Sequence, residues 1–179
     1  MLKLIKKHCL WVIFGVAAIA QLYFPLAIIA DNNDVLKNGM EFRVKTRPVD
    51  PADPFRGRYV AINTAVNIPE SIEPAYYIQG GYYIRLETGE DGFAEVAEIS
   101  KNPIAGAGAL KMDQFFLADG NSLRLPYDRY YMKEKAAPKA EKAYSREREN
   151  AYITLKVKNG LGAVSGLYID NIPVEEYVK

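Results

Sequence analysis

The sequence predicts a mainly β domain, an antiparallel sheet or partly closed barrel with one helix in its C-terminal half, preceded by an N-terminal transmembrane helix. Three observations predict it. A 22-residue run from Cys9 to Ala30 carries no charge. Beyond it, apolar residues recur at the two-residue period of half-buried strands, punctuated by Gly and Asn/Asp turns. The chain is also rich in tyrosine (13) and phenylalanine (7), which favour strands over helical bundles.

A membrane span needs about 20 predominantly apolar residues, and the run from Cys9 to Ala30 meets that length. Lys3, Lys6 and Lys7 precede it, and Asp31 and Asp34 follow it. By the positive-inside rule this places the N-terminus in the cytoplasm and the rest of the chain outside. Trp11 and Tyr23 suit the two membrane interfaces. A cleaved signal peptide is the alternative. Ala30 could precede a cut, and Gln21 and Pro25 weaken the second half of the run. Against cleavage, Ile28 stands where a small residue is preferred, and the run exceeds a usual signal core. The expected organisation is an anchor over residues 1–30, a polar tether over 31–39 and an exported domain over 40–179.

The first 30 residues hold three of the 23 basic residues and no acid, so the remainder carries 20 basic against 22 acidic residues. Such a near-neutral domain gives no electrostatic case for nucleic acid, whose binding rests on neutralising phosphates. The single cysteine, Cys9, lies at the start of the apolar run. No internal disulfide can form, so the domain depends on its apolar core.

Met40 to Arg47 alternates and reads as a strand with Met40, Phe42 and Val44 inward. Three prolines in Pro48–Pro54 exclude regular pairing there. Gly57 opens a second run, Arg58 to Val66, with Tyr59 and Ala61 on one face and Val60 and Ile62 on the other. Tyr76–Thr88 and Phe93–Ile99 form a predicted hairpin about the turn Gly89–Gly92. Leu110–Leu117 and Leu123–Tyr131 form a second, about Asp119–Asn121. Ala136–Asn150 is rich in Ala, Lys, Glu and Arg and predicts a surface helix with a narrow stripe of Ala140, Ala143 and Tyr144. Ala151–Lys158 and Ala163–Asp170, joined at Asn159–Gly162, give a terminal hairpin. In each aromatic pair, Tyr76–Tyr77, Tyr82–Tyr83 and Tyr130–Tyr131, one ring belongs to the core and the other faces out.

The stretch from Val49 to Val66 is the most distinctive. It resembles the GDYXXLXY family, membrane-anchored bacterial proteins named for a Gly-Asp-Tyr-x-x-Leu-x-Tyr motif. Here the motif reads Gly57-Arg58-Tyr59-Val60-Ala61-Ile62-Asn63-Thr64. Gly57 and Tyr59 match and Ile62 stands for Leu, while Arg58 replaces the Asp and Thr64 the final Tyr. Pro48-Val49-Asp50-Pro51 and Phe55-Arg56 resemble the family's approach to the motif. Leu125-Pro-Tyr-Asp-Arg-Tyr-Tyr-Met132 and the elements after it are similar to its C-terminal half. The resemblance implies an exported domain held at the bacterial cytoplasmic membrane, in a family often encoded beside multi-pass membrane proteins. It names no reaction. A role for the motif carboxylate does not carry over, because Arg58 has the opposite charge.

Read as residues, Gly57 and Tyr59 make a loop-to-strand corner and pack the core. A functional reading adds a polar groove of Asp50, Asp53, Arg56, Gly57, Arg58 and Tyr59 that binds a peptide or protein partner. Asp50 and Asp53 fall short of a calcium ligand set, and no cofactor is expected. The only histidine, His8, precedes the apolar run, so the domain has no histidine base or metal ligand and no thiol nucleophile. The expected function is a non-catalytic binding or accessory module, contacting membrane lipid through residues 9–30 and a multi-pass membrane protein or envelope ligand through the domain. The alternative is an envelope hydrolase of Ser–Lys type related to signal peptidases. Ser71, Ser100, Ser122, Ser145 and Ser165 are its available serines, none in a recognisable nucleophile motif.

Overall fold

A computed structural model describes residues 2–47, 59–70, 72, 80–113, 121–147 and 150–179, with side chains from Trp11 onward. Asp50, Asp53, Arg56, Gly57 and Arg58, together with Ser71, Tyr76–Tyr77 and most of the turn at 119–121, lie outside the described residues. Helix α1 spans Leu2–Asn38, about 55 Å at 1.5 Å per residue. It is long and apolar enough to cross a membrane. Every large apolar side chain from Trp11 to Ile29 is exposed, as a helix facing lipid requires.

The polar segment 31–39, expected as a tether, continues α1 almost to its end. Two contacts hold its last turns on the domain. Val35 is buried, and Asp34 accepts two hydrogen bonds from Lys158 Nζ at 2.7 and 2.8 Å. Asn38 Nδ2 donates to Asp34 Oδ1 at 2.6 Å. A polar sequence that buries Val35 against the domain has a reason to stay helical.

The strands are β1 (Met40–Arg47), β2 (Tyr59–Ala61), β3 (Asn63–Asn67), β4 (Tyr82–Thr88), β5 (Ala94–Ser100), β6 (Ala109–Met112), β7 (Ser122–Arg124), β8 (Arg129–Tyr131), β9 (Ala151–Lys158), β10 (Leu161–Ile169) and β11 (Ile172–Pro173). Helix α2 spans Ala137–Arg146 and α3 spans Val174–Tyr177. The fold is mainly β, as the sequence predicts. The main sheet runs β11-β10-β9-β1-β3-β5-β4-β6, with β7 also on β3; β2 and β8 form a separate ribbon. The sheet is mixed because β3 and β5 pair in parallel at Asn67 and Glu95. It curls until Lys111 N donates to Gly160 O at 2.8 Å and Gly160 N to Ala109 O at 3.2 Å, but it does not close into a barrel.

The terminal hairpin β9–β10 forms where expected. Asn159 (φ 52°) and Gly160 (φ 81°) make its turn, and two successive left-handed residues match the twist of a two-residue hairpin. Ser165 is an extra residue, a bulge between the pairs Val164–Leu155 and Gly166–Thr154. The hairpin β4–β5 also forms, and Asp91 clamps its turn by accepting from Phe93 N at 3.0 Å and Lys45 Nζ at 2.5 Å.

Four expectations are corrected. Met40 is 48% exposed, because it lies at the sheet rim beyond the core; the buried face of β1 is Phe42, Val44 and Thr46. The run from Arg58 to Val66 divides at Ile62, whose N–H leaves the ladder to donate to Asp128 O at 2.9 Å. Around that break Val60, Ala61 and Ile62 are all buried, so the two-face alternation is lost. Third, β6 and β7 do not pair with one another: β6 pairs with β4 and β7 with β3. Long-range partners that bury Leu123 and Leu125 prevail over a local turn signal. Finally, α2 buries Ala137, Ala140 and Tyr144 rather than lying on the surface, with Tyr144 Oη donating to Arg47 O at 3.0 Å. Phe42, Ile84, Val96, Leu110, Leu123, Ile153, Leu155 and Leu167 make the centre of the core. Each such side chain contributes about 1.5–3 kcal/mol of burial.

Candidate binding site at the motif corner

The two stretches that carry the family resemblance are neighbours in space. Tyr59–Ala61 pairs antiparallel with Arg129–Tyr131. One residue further on, Ile62 and Thr64 bond to the chain between Leu125 and Asp128. Leu125 N donates to Thr64 O at 3.0 Å. Thr64 Oγ1 donates to Tyr127 O at 2.9 Å, with Leu125 O a second acceptor at 3.4 Å. Thr64, the residue in place of the motif's last tyrosine, is fully buried. Its hydroxyl replaces ladder bonds that the turning chain between Leu125 and Asp128 cannot make.

Tyr127 fastens this corner to the terminal hairpin. Its ring lies over Gly162 of β10 so closely that a Cβ there would stand 2.1 Å from Tyr127 Oη. No residue but glycine leaves that space. Burial raises the Tyr127 phenol well above its ordinary value. On the next strand Tyr130 turns inward and Tyr131 outward, one ring on each side as the pair predicts. Tyr130 packs against the core and donates to Glu175 Oε1 at 2.5 Å; burial, then that bond, raises its phenol too.

The outward face of the ribbon carries Tyr131. Tyr131 is 67% exposed, the most exposed large hydrophobic side chain beyond the anchor among the described residues. Its ring meets Tyr59 edge to face at 5.7 Å. The Arg129 guanidinium stands 5.1 Å above the Tyr59 ring. A hydrogen bond to the Tyr131 hydroxyl, then the charge of Asp128, holds Arg129 more firmly protonated. Two tyrosines and an arginine, fixed by one another, are the residue types that dominate protein interfaces. An open cleft of about 500 Å³ continues the surface, lined by Lys111, Asp113, Arg124, Leu125, Pro126 and Asp128 among others. Its two cations and two acids give it no single sign of charge. On β3, Asn63 Oδ1 is buried with no hydrogen-bond partner among the described residues.

Of the residues singled out in the sequence, the structure therefore places Tyr59 in this patch. Asp50, Asp53, Arg56, Gly57 and Arg58 lie outside the described residues. Sequence reasoning missed Arg129, Arg124 and Lys111, which belong to other strands, and Asp113, which directly follows β6. The signal available for Arg129 was its place within the second family-like stretch. Among the described residues no three His, Cys, Asp or Glu side chains gather to hold a metal. Among the described residues, Ser165 donates to Thr154 Oγ1 at 2.8 Å, Ser122 accepts from Arg47 at 2.7 Å, and Ser100 accepts from Asn102 N at 3.0 Å.

The family model described as GDYXXLXY protein matches residues 21–167, from the second half of the apolar run to the last strands. No curated protein and no solved structure matches the chain.

Proposed function

The chain belongs to the GDYXXLXY protein family, and from that premise we propose that it is a single-pass, membrane-anchored module that binds a partner and catalyses nothing. Its anchor is retained, its N-terminus is cytoplasmic, and its domain stands outside the bacterial cytoplasmic membrane. The partner is a multi-pass membrane protein or an envelope ligand. The carrying observation is the exposed Tyr59–Tyr131–Arg129 patch, built where the two family-like stretches meet. Rigid aromatic anchors with an adjacent cation bind proteins at low entropic cost. The three lysines before the apolar run support the orientation.

The test places a photo-crosslinking amino acid at Tyr131 in the full chain, in its native membrane. A crosslinked adduct with a multi-pass membrane protein or another envelope component is expected. Tyr131→Ala and Arg129→Ala should lose recovery of that partner in mild detergent while keeping the thermal unfolding midpoint. Recovery of the bait alone, from every variant and the parent, would refute the reading. The hydrolase alternative predicts covalent labelling by a serine-reactive probe, and labelling of any serine would overturn the non-catalytic reading.

A further inference from the structure

The anchor contains a polar group that lipid cannot satisfy. Gln21 has twelve residues of the uncharged run before it and nine after it, which puts it about 14 Å or more from either end. Its side chain is too short to reach a headgroup from there. It is exposed on α1, and its amide is hydrogen-bonded to no described residue. Pro25, four residues on, lies inside the same helix. Proline has no N–H, so the Gln21 carbonyl loses its helical donor. One residue thus presents a free amide and a free backbone acceptor at the same depth, in a medium without water to pair either. Residues four apart share a helix face, so the gap left by Pro25 opens on the side where Gln21 points. Ala17 and Ala18, one turn before Gln21, are small and let a second helix approach closely.

We infer that this face of the anchor pairs with the same face of a second copy of the chain. This inference rests on the retained span proposed above. Two parallel anchors of one sequence bring their Gln21 residues to the same depth. An amide is donor and acceptor at once, so the pair is self-complementary across a two-fold axis. Each amide has one N–H for its counterpart and one left for a released carbonyl. A chance helix offers no such match at that depth. Two tethered copies would also present two Tyr131 patches to one partner assembly, and the second binding event becomes intramolecular.

The test uses the full chain with a tag at its N-terminus, labelled with one fluorophore per chain and reconstituted in phosphatidylcholine vesicles at graded density. Bleaching steps report copies per assembly. The parent is expected to dimerise, and Gln21→Leu to dimerise roughly tenfold more weakly, within the range of interhelical polar contacts. Pro25→Ala restores the helical donor and should weaken pairing less. With Cys9→Ser in place, Ala18→Cys should form an intermolecular disulfide, whereas Tyr23→Cys, about 160° round the helix from Gln21, should not. A parent that stays monomeric, or a Gln21→Leu variant that dimerises equally, overturns the inference. So does a Gln21-dependent crosslink to a multi-pass protein with no self-pairing. Loss of the N-terminal tag from the membrane fraction overturns the retained span as well, which separates the two failures. The variants lie in lipid, so the domain's unfolding midpoint should not move.

Discussion

Replacing Thr64 by valine tests whether the motif corner is held by one hydroxyl. Thr64 is fully buried, and its hydroxyl donates to Tyr127 O at 2.9 Å. Valine has almost the same volume, so the change leaves no cavity and isolates the hydrogen bond. An unsatisfied buried carbonyl costs about 1–3 kcal/mol. Tyr127 is only partly buried, so water can reach its carbonyl in part, and the gain of a methyl offsets some of the rest. The expected loss is therefore about 1–2 kcal/mol, or roughly 3–8 °C in the midpoint of a domain this size. Thr64→Ser is the matched control: it keeps the hydroxyl and gives up a methyl, at about 1 kcal/mol. The two variants separate in amide hydrogen exchange. Ile62 N–H bonds to Asp128 O and Leu125 N–H to Thr64 O, so both report the corner directly. Thr64→Val should speed their exchange and Thr64→Ser should not. An unchanged midpoint together with unchanged exchange at Ile62 and Leu125 would refute the reasoning.

Gly162→Ala should displace the Tyr127 ring, because the new methyl would fall 2.1 Å from its hydroxyl; the expected cost by denaturant titration is about 1–3 kcal/mol, relieved by adding Tyr127→Ala. The Asp91 carboxylate is held below its ordinary 3.8, first by the Lys45 hydrogen bond and then by Phe93 N–H. A lowered carboxylate stabilises the fold above its unfolded value and loses that contribution as pH falls through the folded one. Unfolding midpoints should therefore drop below about pH 4 more steeply for the parent than for Asp91→Asn, and parallel acid limbs would contradict the clamp. Tyr127 and Tyr130 are raised above the ordinary 10.0 by burial. Their neutral forms favour the fold, so stability is intact below pH 10 and falls as pH climbs above it. Tyrosinate absorbance should show a late fraction that appears with unfolding and shrinks in Tyr127→Phe.

Where side-chain period and turn chemistry agreed, the sequence was legible. The hairpins β4–β5 and β9–β10 each pair neighbouring segments through Gly-containing turns, and the apolar run announced α1 by composition alone. The failures share a cause, which is that the deciding partner is distant in sequence. Leu123 and Leu125 look like one arm of a local hairpin, yet they are buried against residues some 60 positions earlier. Ile62 looks like a strand residue, and a carbonyl at Asp128 takes its N–H. The site was half legible for the same reason. Tyr59 stood in a recognisable motif and the Tyr130–Tyr131 pair announced one exposed ring, but nothing local shows that Arg129 would stand over Tyr59.

The unbroken run of α1 into the domain has a consequence for how the domain is oriented about the helix axis. Its stalk has no swivel: Val35 and the Asp34–Lys158 pair lock the helix to the β9–β10 hairpin within two turns of the end of the uncharged run at Ala30. The domain therefore inherits the azimuth of the buried helix. Successive residues point about 100° apart, so turning the helix by a single position would swing Tyr131 through more than a quarter of a circle above the membrane. Whatever fixes the face of the helix within the lipid thereby chooses the compass bearing of the motif corner outside it.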